Sequence, residues 1–208
     1  MCRFHNKDSA YNTGQTLNMG IIKIIDNVAP PEIFGLVTKE VQSGIWSFTT
    51  RSDEDDNNVN FGASDHVNKI NDLIKEKRFN EANVIYNLWN TINARAKIEE
   101  NYKNVLDRVF FNANYPLSEQ TVHQDDTVTF SKNITIVYFA HDRWDTSWGG
   151  EILLYDFAKS RILDGAPPLP NRLVIFPSYL PHRGVQVSRM CPIMRVSIAF
   201  QCKFDNTI

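Results

Sequence analysis

The feature that most constrains this chain is a histidine and a carboxylate two residues apart, His123-Gln124-Asp125, followed far downstream by a second histidine, His182. Residues two apart on an extended segment point to the same face, so His123 and Asp125 can bind one metal ion together. His182 follows the apolar run 173–176, with Pro177 and Pro181 in between. Proline restricts the backbone, so these two residues would hold the chain stiffly where His182 is presented. The fold must therefore bring two distant segments to a common point.

Two imidazoles and one carboxylate can occupy one triangular face of an octahedral metal and leave the opposite face open. This set of ligands is typical of non-haem Fe(II) sites, whose open positions accept a co-substrate and O₂. Arg195, farther along the chain, would then pair with a dicarboxylate such as 2-oxoglutarate, because a guanidinium binds carboxylates bidentately. On a strand, Ser197 points to the same side as Arg195. Both are therefore predicted to face the interior of a β-barrel-like core, where the serine hydroxyl adds one hydrogen bond to the same carboxylate.

These residues belong to a longer series of motifs along the chain. In order, the series is Asn114-Tyr115-Pro116, His123-Gln124-Asp125, 136–139, 148–155, 171–177, Pro181-His182-Arg183 and Arg195-Val196-Ser197. A His-x-Asp triplet alone is weakly specific, whereas these elements in this order and spacing are strongly so. With them, residues 109–200 resemble the catalytic core of 2-oxoglutarate and Fe(II)-dependent dioxygenases of the prolyl 4-hydroxylase type.

The resemblance implies an enzyme that hydroxylates a substrate C–H bond and converts 2-oxoglutarate to succinate and CO₂. The cofactors that it implies are Fe(II), 2-oxoglutarate as co-substrate and O₂, with ascorbate as an accessory reductant. His123, Asp125 and His182 are the expected metal ligands, and these three with Arg195 are the expected catalytic residues.

The resemblance also assigns residues to the co-substrate. Arg195 and Ser197 are expected to bind its distal carboxylate. Tyr138 matches the family's tyrosine that donates to the same carboxylate, and Tyr115 matches one that lies near the metal end of the co-substrate.

The substrate stays open. A prolyl residue in a peptide or protein is the default by resemblance, and a free amino acid or other small metabolite is the second candidate. The family's asparagine after the Tyr-Leu pair is replaced by Ala140, which weakens any transfer of substrate preference. Nucleic-acid demethylases of the superfamily carry a second arginine where this chain has Gln201, and halogenases lack the carboxylate that Asp125 supplies. A non-enzymatic jelly-roll binding protein with incidental histidines is the alternative from another class.

The charge and composition of the chain argue against nucleic acid and membranes as partners. The net charge is −2 and the pI is about 6.2, so no global attraction to nucleic acid or anionic membranes is expected. No segment approaches the roughly 18 apolar residues that would suggest a membrane span. The polar start and the odd number of cysteines, Cys2, Cys191 and Cys202, at spacings without a zinc pattern, favour a cytoplasmic protein. The oligomeric state is left open.

The pattern along the chain predicts one domain, 1–208, of class α+β, mainly β. Residues 1–103 would form a supporting strand and helices, and 104–204 a double-stranded β-helix (jelly roll, cupin-like) core with those helices packed on one sheet. Strands are predicted at 21–27 and 45–49, a helix from Pro30, and two helices between 64 and 100. The acidic loop 53–58 is a solvated turn or a lid near the pocket mouth.

Overall fold

The structure is a computed structural model of the 208-residue chain, and it describes residues 21–43, 46–50, 60–63, 65–80, 83–118 and 120–207. The predicted polar N-terminus and the acidic loop 53–58 lie outside the described residues, so the proposed lid stays a prediction.

Ten strands and three α-helices are formed by the described residues. The strands are β1 Lys23–Ile25, β2 Trp46–Thr50, β3 Asn60–Ala63, β4 Asn104–Asn114, β5 Ile134–Phe139, β6 Ile152–Tyr155, β7 Ile162–Ala166, β8 Leu173–Pro177, β9 His182–Gly184 and β10 Arg195–Phe204. The helices are α1 Pro31–Ser43, α2 Asp65–Lys75 and α3 Val84–Ala96. A π-helical turn, Ile98–Tyr102, joins α3 to β4, and a 3₁₀ turn, Thr146–Trp148, precedes β6.

The strands form two antiparallel sheets. The larger sheet has the order β1-β8-β5-β10-β4-β3-β2, and the smaller one has the order β7-β6-β9. Strands that follow one another along the chain mostly lie in different sheets or are not neighbours, as expected for a jelly roll. The predicted fold class is confirmed, since a mainly β chain with two facing sheets carries its helices at the N-terminal side.

The central strands of the larger sheet are buried on both faces. All six residues of β5 are buried, and its apolar residues alternate between two apolar clusters. Ile136 and Tyr138 join the cluster that includes the helices, whereas Val137 and Phe139 pack towards Ile152 on the smaller sheet. The period of two along the strand therefore separates a helix-facing layer from the barrel interior.

Helices α1 and α3 pack against each other, and α3 covers the outer face of the larger sheet. Asn83 caps the start of α3, because its side-chain oxygen accepts a hydrogen bond from the backbone N–H of Ile85 at 2.8 Å. The helix ends at Ala96, and the residue after it, Lys97, adopts a left-handed conformation. Trp89 of α3 lies 5.7 Å from Phe200 of β10, measured between ring centroids. The predicted packing of N-terminal helices on one sheet is confirmed.

No described helix combines the length and the apolar character that crossing a membrane requires.

Candidate functional site

The backbone brings the two histidines of the sequence pattern together. The N–H of His123 donates to the carbonyl of His182 at 3.0 Å, and the N–H of His182 donates to the carbonyl of His123 at 2.8 Å. The N–H of Asp125 donates to the carbonyl of Ser178 at 3.1 Å. This short antiparallel pairing fixes the segment 123–125 beside β9 and turns His123 and Asp125 to the face that His182 shares.

The three side chains form a group that fits one metal ion. One ligand atom from each of His123, Asp125 and His182 lies within 4.8 Å of the others. Nε2 of His123 is 3.9 Å from Oδ1 of Asp125, and Nε2 of His182 is 3.5 Å from Oδ2 of the same carboxylate. Two atoms that share an ion at about 2.1 Å from each can be no more than about 4.2 Å apart, so both separations allow a common ion. The predicted ligands are therefore brought together.

Backbone carbonyls set the tautomer of both rings. Nδ1 of His123 lies 3.0 Å from the carbonyl of Thr121, and Nδ1 of His182 lies 2.9 Å from the carbonyl of Leu180. A carbonyl only accepts, so Nδ1 carries the proton and Nε2 presents its lone pair to the centre of the group. Burial also lowers the pKa of His182, which favours the neutral, ligating form.

Thr135 of β5 orients the carboxylate. Its hydroxyl donates to Oδ2 of Asp125 at 2.6 Å and lies 3.0 Å from the hydroxyl of Ser178. The hydrogen bond limits rotation of Asp125 and so holds the carboxylate towards the two histidines. Sequence reasoning missed this residue, because its role depends on the segment 123–125 folding across the end of β5.

We expect Thr135→Val to weaken metal binding about tenfold, because loss of a hydrogen bond to a ligand typically costs 10–100-fold in affinity. Thr135→Ser keeps the hydroxyl and serves as the matched control, with affinity close to that of the wild type. Titration of the metal-free protein with Mn(II), followed by calorimetry, measures both. Equal affinities for all three proteins would contradict an orienting role for Thr135.

A cavity of about 270 Å³ extends from the three ligands into the barrel. One wall consists of every second residue of β10, namely Arg195, Ser197, Ala199 and Gln201. The prediction that Arg195 and Ser197 face the barrel interior agrees with this placement. Val137 and Ile152 add apolar surface on the other walls. The metal group and Arg195 thus share one cavity.

Arg195 brings a buried positive charge to this cavity. Its side chain is almost fully buried, Nε donates to the carbonyl of Gly150 at 2.6 Å, and Nη1 donates to Oδ1 of Asn114 at 2.9 Å. Burial lowers the pKa of Arg195 to about 10, so the guanidinium is still charged at neutral pH. Both hydrogen-bond partners are neutral. The charge of Glu151 favours the charged form of Arg195, but Arg195 makes no direct ion pair with a carboxylate of the described residues. A buried unpaired cation is costly unless an anion binds to it.

Gly150 permits the approach of Arg195. Its φ is +76°, and a Cβ at this position would lie 3.0 Å from Cδ of Arg195 and 3.0 Å from the ring of Trp144. Only glycine fits both the backbone conformation and the contact. Gly150 therefore has a packing role, and it also places the carbonyl that Arg195 uses.

Tyr138 is not at the site. It faces the helices, is fully buried, and its hydroxyl donates to Oδ1 of Asn171 at 3.0 Å, while burial raises its pKa. The prediction that Tyr138 binds the co-substrate is contradicted by this placement, because β5 turns its odd-numbered residues inward. Phe139 takes the interior position, with its ring centroid 5.1 Å from the guanidinium carbon of Arg195.

Tyr115 lies in the turn that follows β4, and 41% of its surface is exposed. It is not part of the cavity wall. Its predicted place near the metal end of the co-substrate finds no support in this position, and the prediction stays untested beyond that.

His141 lies behind the cavity and is buried without lining it. Its Nε2–H donates to the carbonyl of Pro168 at 2.6 Å, and its ring lies 4.5 Å from that of Trp144. Burial lowers the pKa of His141 from 6.5 to about 4, and the charge of Arg195 contributes to the shift. His141 is therefore neutral in the folded protein at neutral pH.

Acidification is expected to destabilise the fold through His141. Between pH 6.5 and pH 4 the unfolded chain binds a proton that the folded one does not, so up to about 3 kcal/mol of unfolding free energy is lost as the pH falls. His141→Gln keeps a donor for Pro168 without the titration, and its stability should fall less over that window. Urea unfolding of both metal-free proteins at pH 7 and pH 4.5 measures the difference, and equal losses would contradict it.

Residues 110–201 match the family model described as the 2OG-Fe(II) oxygenase superfamily. The matched segment contains all three metal-binding candidates and Arg195. The resemblance seen in the sequence is thereby confirmed. No curated protein matches the chain.

Solved structures share the fold. A prolyl hydroxylase from Trichoplax adhaerens, in complex with a peptide fragment of the oxygen degradation domain of hypoxia inducible factor, has 19% identity and a TM-score of 0.56, covering 90% of this chain and 86% of that one. A prolyl-4-hydroxylase from Pseudomonas putida has 13% identity and a TM-score of 0.51, covering 91% and 96%. An oxidoreductase of the 2OG-Fe(II) oxygenase family from Burkholderia pseudomallei has 12% identity and a TM-score of 0.61, covering 91% and 88%.

Proposed function

We propose, from the premise that this chain is an enzyme of the 2OG-Fe(II) oxygenase superfamily, that it hydroxylates a C–H bond of a prolyl residue in a peptide or protein. In this reaction one oxygen atom of O₂ enters the product hydroxyl group and the other enters succinate, while 2-oxoglutarate loses CO₂. The site residues of the proposal are His123, Asp125 and His182 for the metal, with Arg195 and Ser197 for the co-substrate.

One observation carries the proposal. The buried guanidinium of Arg195 makes no direct hydrogen bond or ion pair with a carboxylate of the described residues, and it shares a cavity with an open two-histidine, one-carboxylate group. A dianion that binds a metal at one end and a cation at the other matches both features. 2-Oxoglutarate has this form.

Fe(II) is the metal that the donors fit, since two neutral imidazole nitrogens and one carboxylate leave further positions open. When bound, Fe(II) supplies the redox chemistry that couples decarboxylation of 2-oxoglutarate to oxidation of the substrate by O₂. His123, Asp125 and His182 would hold it, with the tautomers that the carbonyls of Thr121 and Leu180 set.

The chain's own residues would bind the co-substrate and exclude water from the cavity. Arg195 would bind the distal carboxylate of the co-substrate through its fork of N–H donors, and the hydroxyl of Ser197 would donate to the same group. Val137, Ile152 and Ala199 line the cavity between these two ends. Their apolar side chains keep water away from the reacting groups, which limits unproductive oxidation.

The substrate assignment is supported by the comparisons with two proteins described as prolyl hydroxylases, one of them bound to a peptide. A free amino acid is the second candidate. This candidate is favoured by Arg108 of β4, a cation that also lines the cavity and that could pair with an α-carboxylate.

The first experiment measures succinate formed from 2-oxoglutarate by the Fe(II)-loaded protein under air, with ascorbate present. Reactions are run without substrate, with proline-containing peptides and with free amino acids. We expect slow turnover without substrate and faster turnover with one class of the panel, and mass spectrometry should detect a gain of one oxygen atom in the stimulating compound.

Stimulation by free amino acids alone would replace the peptide assignment with the second candidate. Absence of turnover, together with absence of binding of 2-oxoglutarate to the metal-loaded protein, would favour a non-enzymatic jelly-roll protein.

A further inference from the structure

A second arginine, Arg108 of β4, lines the cavity that contains the metal group. Its Nε donates to the side-chain oxygen of Gln201 on β10 at 2.6 Å, and its guanidinium carbon lies 5.3 Å from the ring centroid of Phe110. Both partners also line the cavity. The side chain is half exposed, yet these two contacts hold it along the cavity wall.

Strand register places Arg108 at the metal end. Arg108 is paired with Gln201 across β4 and β10, and Gln201 is paired with Thr135 across β10 and β5. Thr135 is the residue that donates to Asp125. Neighbouring strands are about 4.8 Å apart, so the backbone of Arg108 lies about 10 Å from that of Thr135.

Arg195 lies at the opposite end of the same wall. It is six residues from Gln201 along β10, which corresponds to about 20 Å on an extended strand. The cavity therefore has one arginine at each end, and they serve different parts of it. Arg195 lies at the end that the proposed co-substrate would occupy, whereas Arg108 lies near the metal group.

The charge of Arg108 is only weakly compensated. Its Nε is 3.9 Å from Oδ2 of Asp107, whereas Nζ of Lys203 is 2.9 Å from Oδ1 of the same carboxylate. Two cations thus share one carboxylate, and the short hydrogen bond of Arg108 goes to a neutral amide. Asp107, Arg108 and Lys203 together therefore have a net positive charge, although the whole chain has a net charge of −2.

We propose that Arg108, held by Gln201 and Phe110, is a substrate-binding residue and that the substrate carries a carboxylate close to the C–H bond that is oxidised. The proposal rests on the proposed function, because it takes the substrate to approach the metal from this side. The carboxylate belongs either to an acidic residue beside the target proline in a peptide or to a free amino acid. Bidentate pairing with the guanidinium recognises both in the same way.

The test uses Mn(II) in place of Fe(II), so that substrate binding is measured without turnover. The probes are a proline-containing pentapeptide with glutamate before the proline, the same peptide with glutamine, L-proline and L-prolinamide. Calorimetry gives the Kd of each for the protein loaded with Mn(II) and 2-oxoglutarate. Arg108→Gln is compared with the wild type and with Arg161→Gln, an equal substitution at an exposed arginine between β6 and β7 that does not line the cavity.

In one of the two pairs, the compound with the additional carboxylate should bind about tenfold more tightly than its amide counterpart. This compound is the glutamate peptide in one pair and L-proline in the other. A tenfold gain is typical of a hydrogen bond to a charged group. The preference should disappear in Arg108→Gln and persist in Arg161→Gln. The pair that shows the preference identifies the source of the carboxylate.

Three results would overturn the proposal: equal binding of both members of each pair, failure of both acidic members to bind, or a preference that survives in Arg108→Gln. A fall in 2-oxoglutarate affinity in Arg108→Gln with the preference retained would assign Arg108 to the co-substrate instead. Binding of 2-oxoglutarate to the Mn(II)-loaded wild type, measured first, tests the proposed function separately. If it succeeds while the pairs do not differ, only the role of Arg108 fails.

Discussion

Arg195→Met is expected to lower the affinity for 2-oxoglutarate by 10²-fold or more, on the order of 3–5 kcal/mol, while metal binding is retained. Arg195 is the buried cation at the end of the cavity, and its two hydrogen bonds go to the neutral groups of Gly150 and Asn114. Removing the cation leaves the distal carboxylate of the ligand in a buried, apolar environment without a partner. Methionine keeps much of the volume, so the cavity should not collapse.

Calorimetric titration of the Mn(II)-loaded proteins with 2-oxoglutarate measures this loss. Arg195→Lys is the matched comparison, since it keeps the charge without the planar fork of donors, and we expect an affinity between those of the wild type and the methionine variant. An unchanged Kd in Arg195→Met would mean that the cavity binds its anion elsewhere.

Asp125→Ala is expected to weaken metal binding by about 10³-fold, the largest loss at the metal centre. Asp125 supplies the negative charge of the group, and its side chain is placed between the two histidines by Thr135. The alanine variant keeps only two neutral ligands, which cannot compensate the charge of a divalent ion.

The neighbouring carboxylate provides the control. Asp126 accepts hydrogen bonds from the N–H of Val128 at 2.8 Å and from the amide of Asn133 at 2.7 Å, so Asp126→Asn should bind metal as the wild type does. The rise of the melting temperature on addition of Mn(II) reports binding in each protein. A full rise in Asp125→Ala would show that the three-residue site is wrongly assigned.

The metal group could be predicted from the sequence because it depends on local rules. A spacing of two residues on an extended segment puts His123 and Asp125 on one face, and a proline-flanked position after a buried strand presents His182. The alternation of Arg195 and Ser197 likewise gave their orientation. Amphipathic spacing identified the helices, since their apolar faces had to cover a sheet.

Tyr138 shows where such rules fail. A strand buried on both faces has apolar residues at every position, so its pattern does not reveal which set points inward. All of β5 is buried, and the resemblance suggested Tyr138 although the odd-numbered residues face the cavity.

Arg108 and Thr135 could not be predicted for a related reason. Their nearness to the metal group depends on cross-strand register between β4, β10 and β5, and the register of β10 and β4 shifts next to Gln201. Between strands distant in sequence, the alternation of one strand shows which residues share a face but does not identify the residue that lies opposite on another strand.

The most direct measurement for the central claim is the binding of 2-oxoglutarate to the wild-type protein with and without Mn(II). Because the proposed ligand bridges the metal and Arg195, one equivalent should bind, and its affinity should rise strongly when the metal is present. No binding with the metal, or equal binding without it, would contradict a site in which the three ligands and Arg195 hold one molecule together.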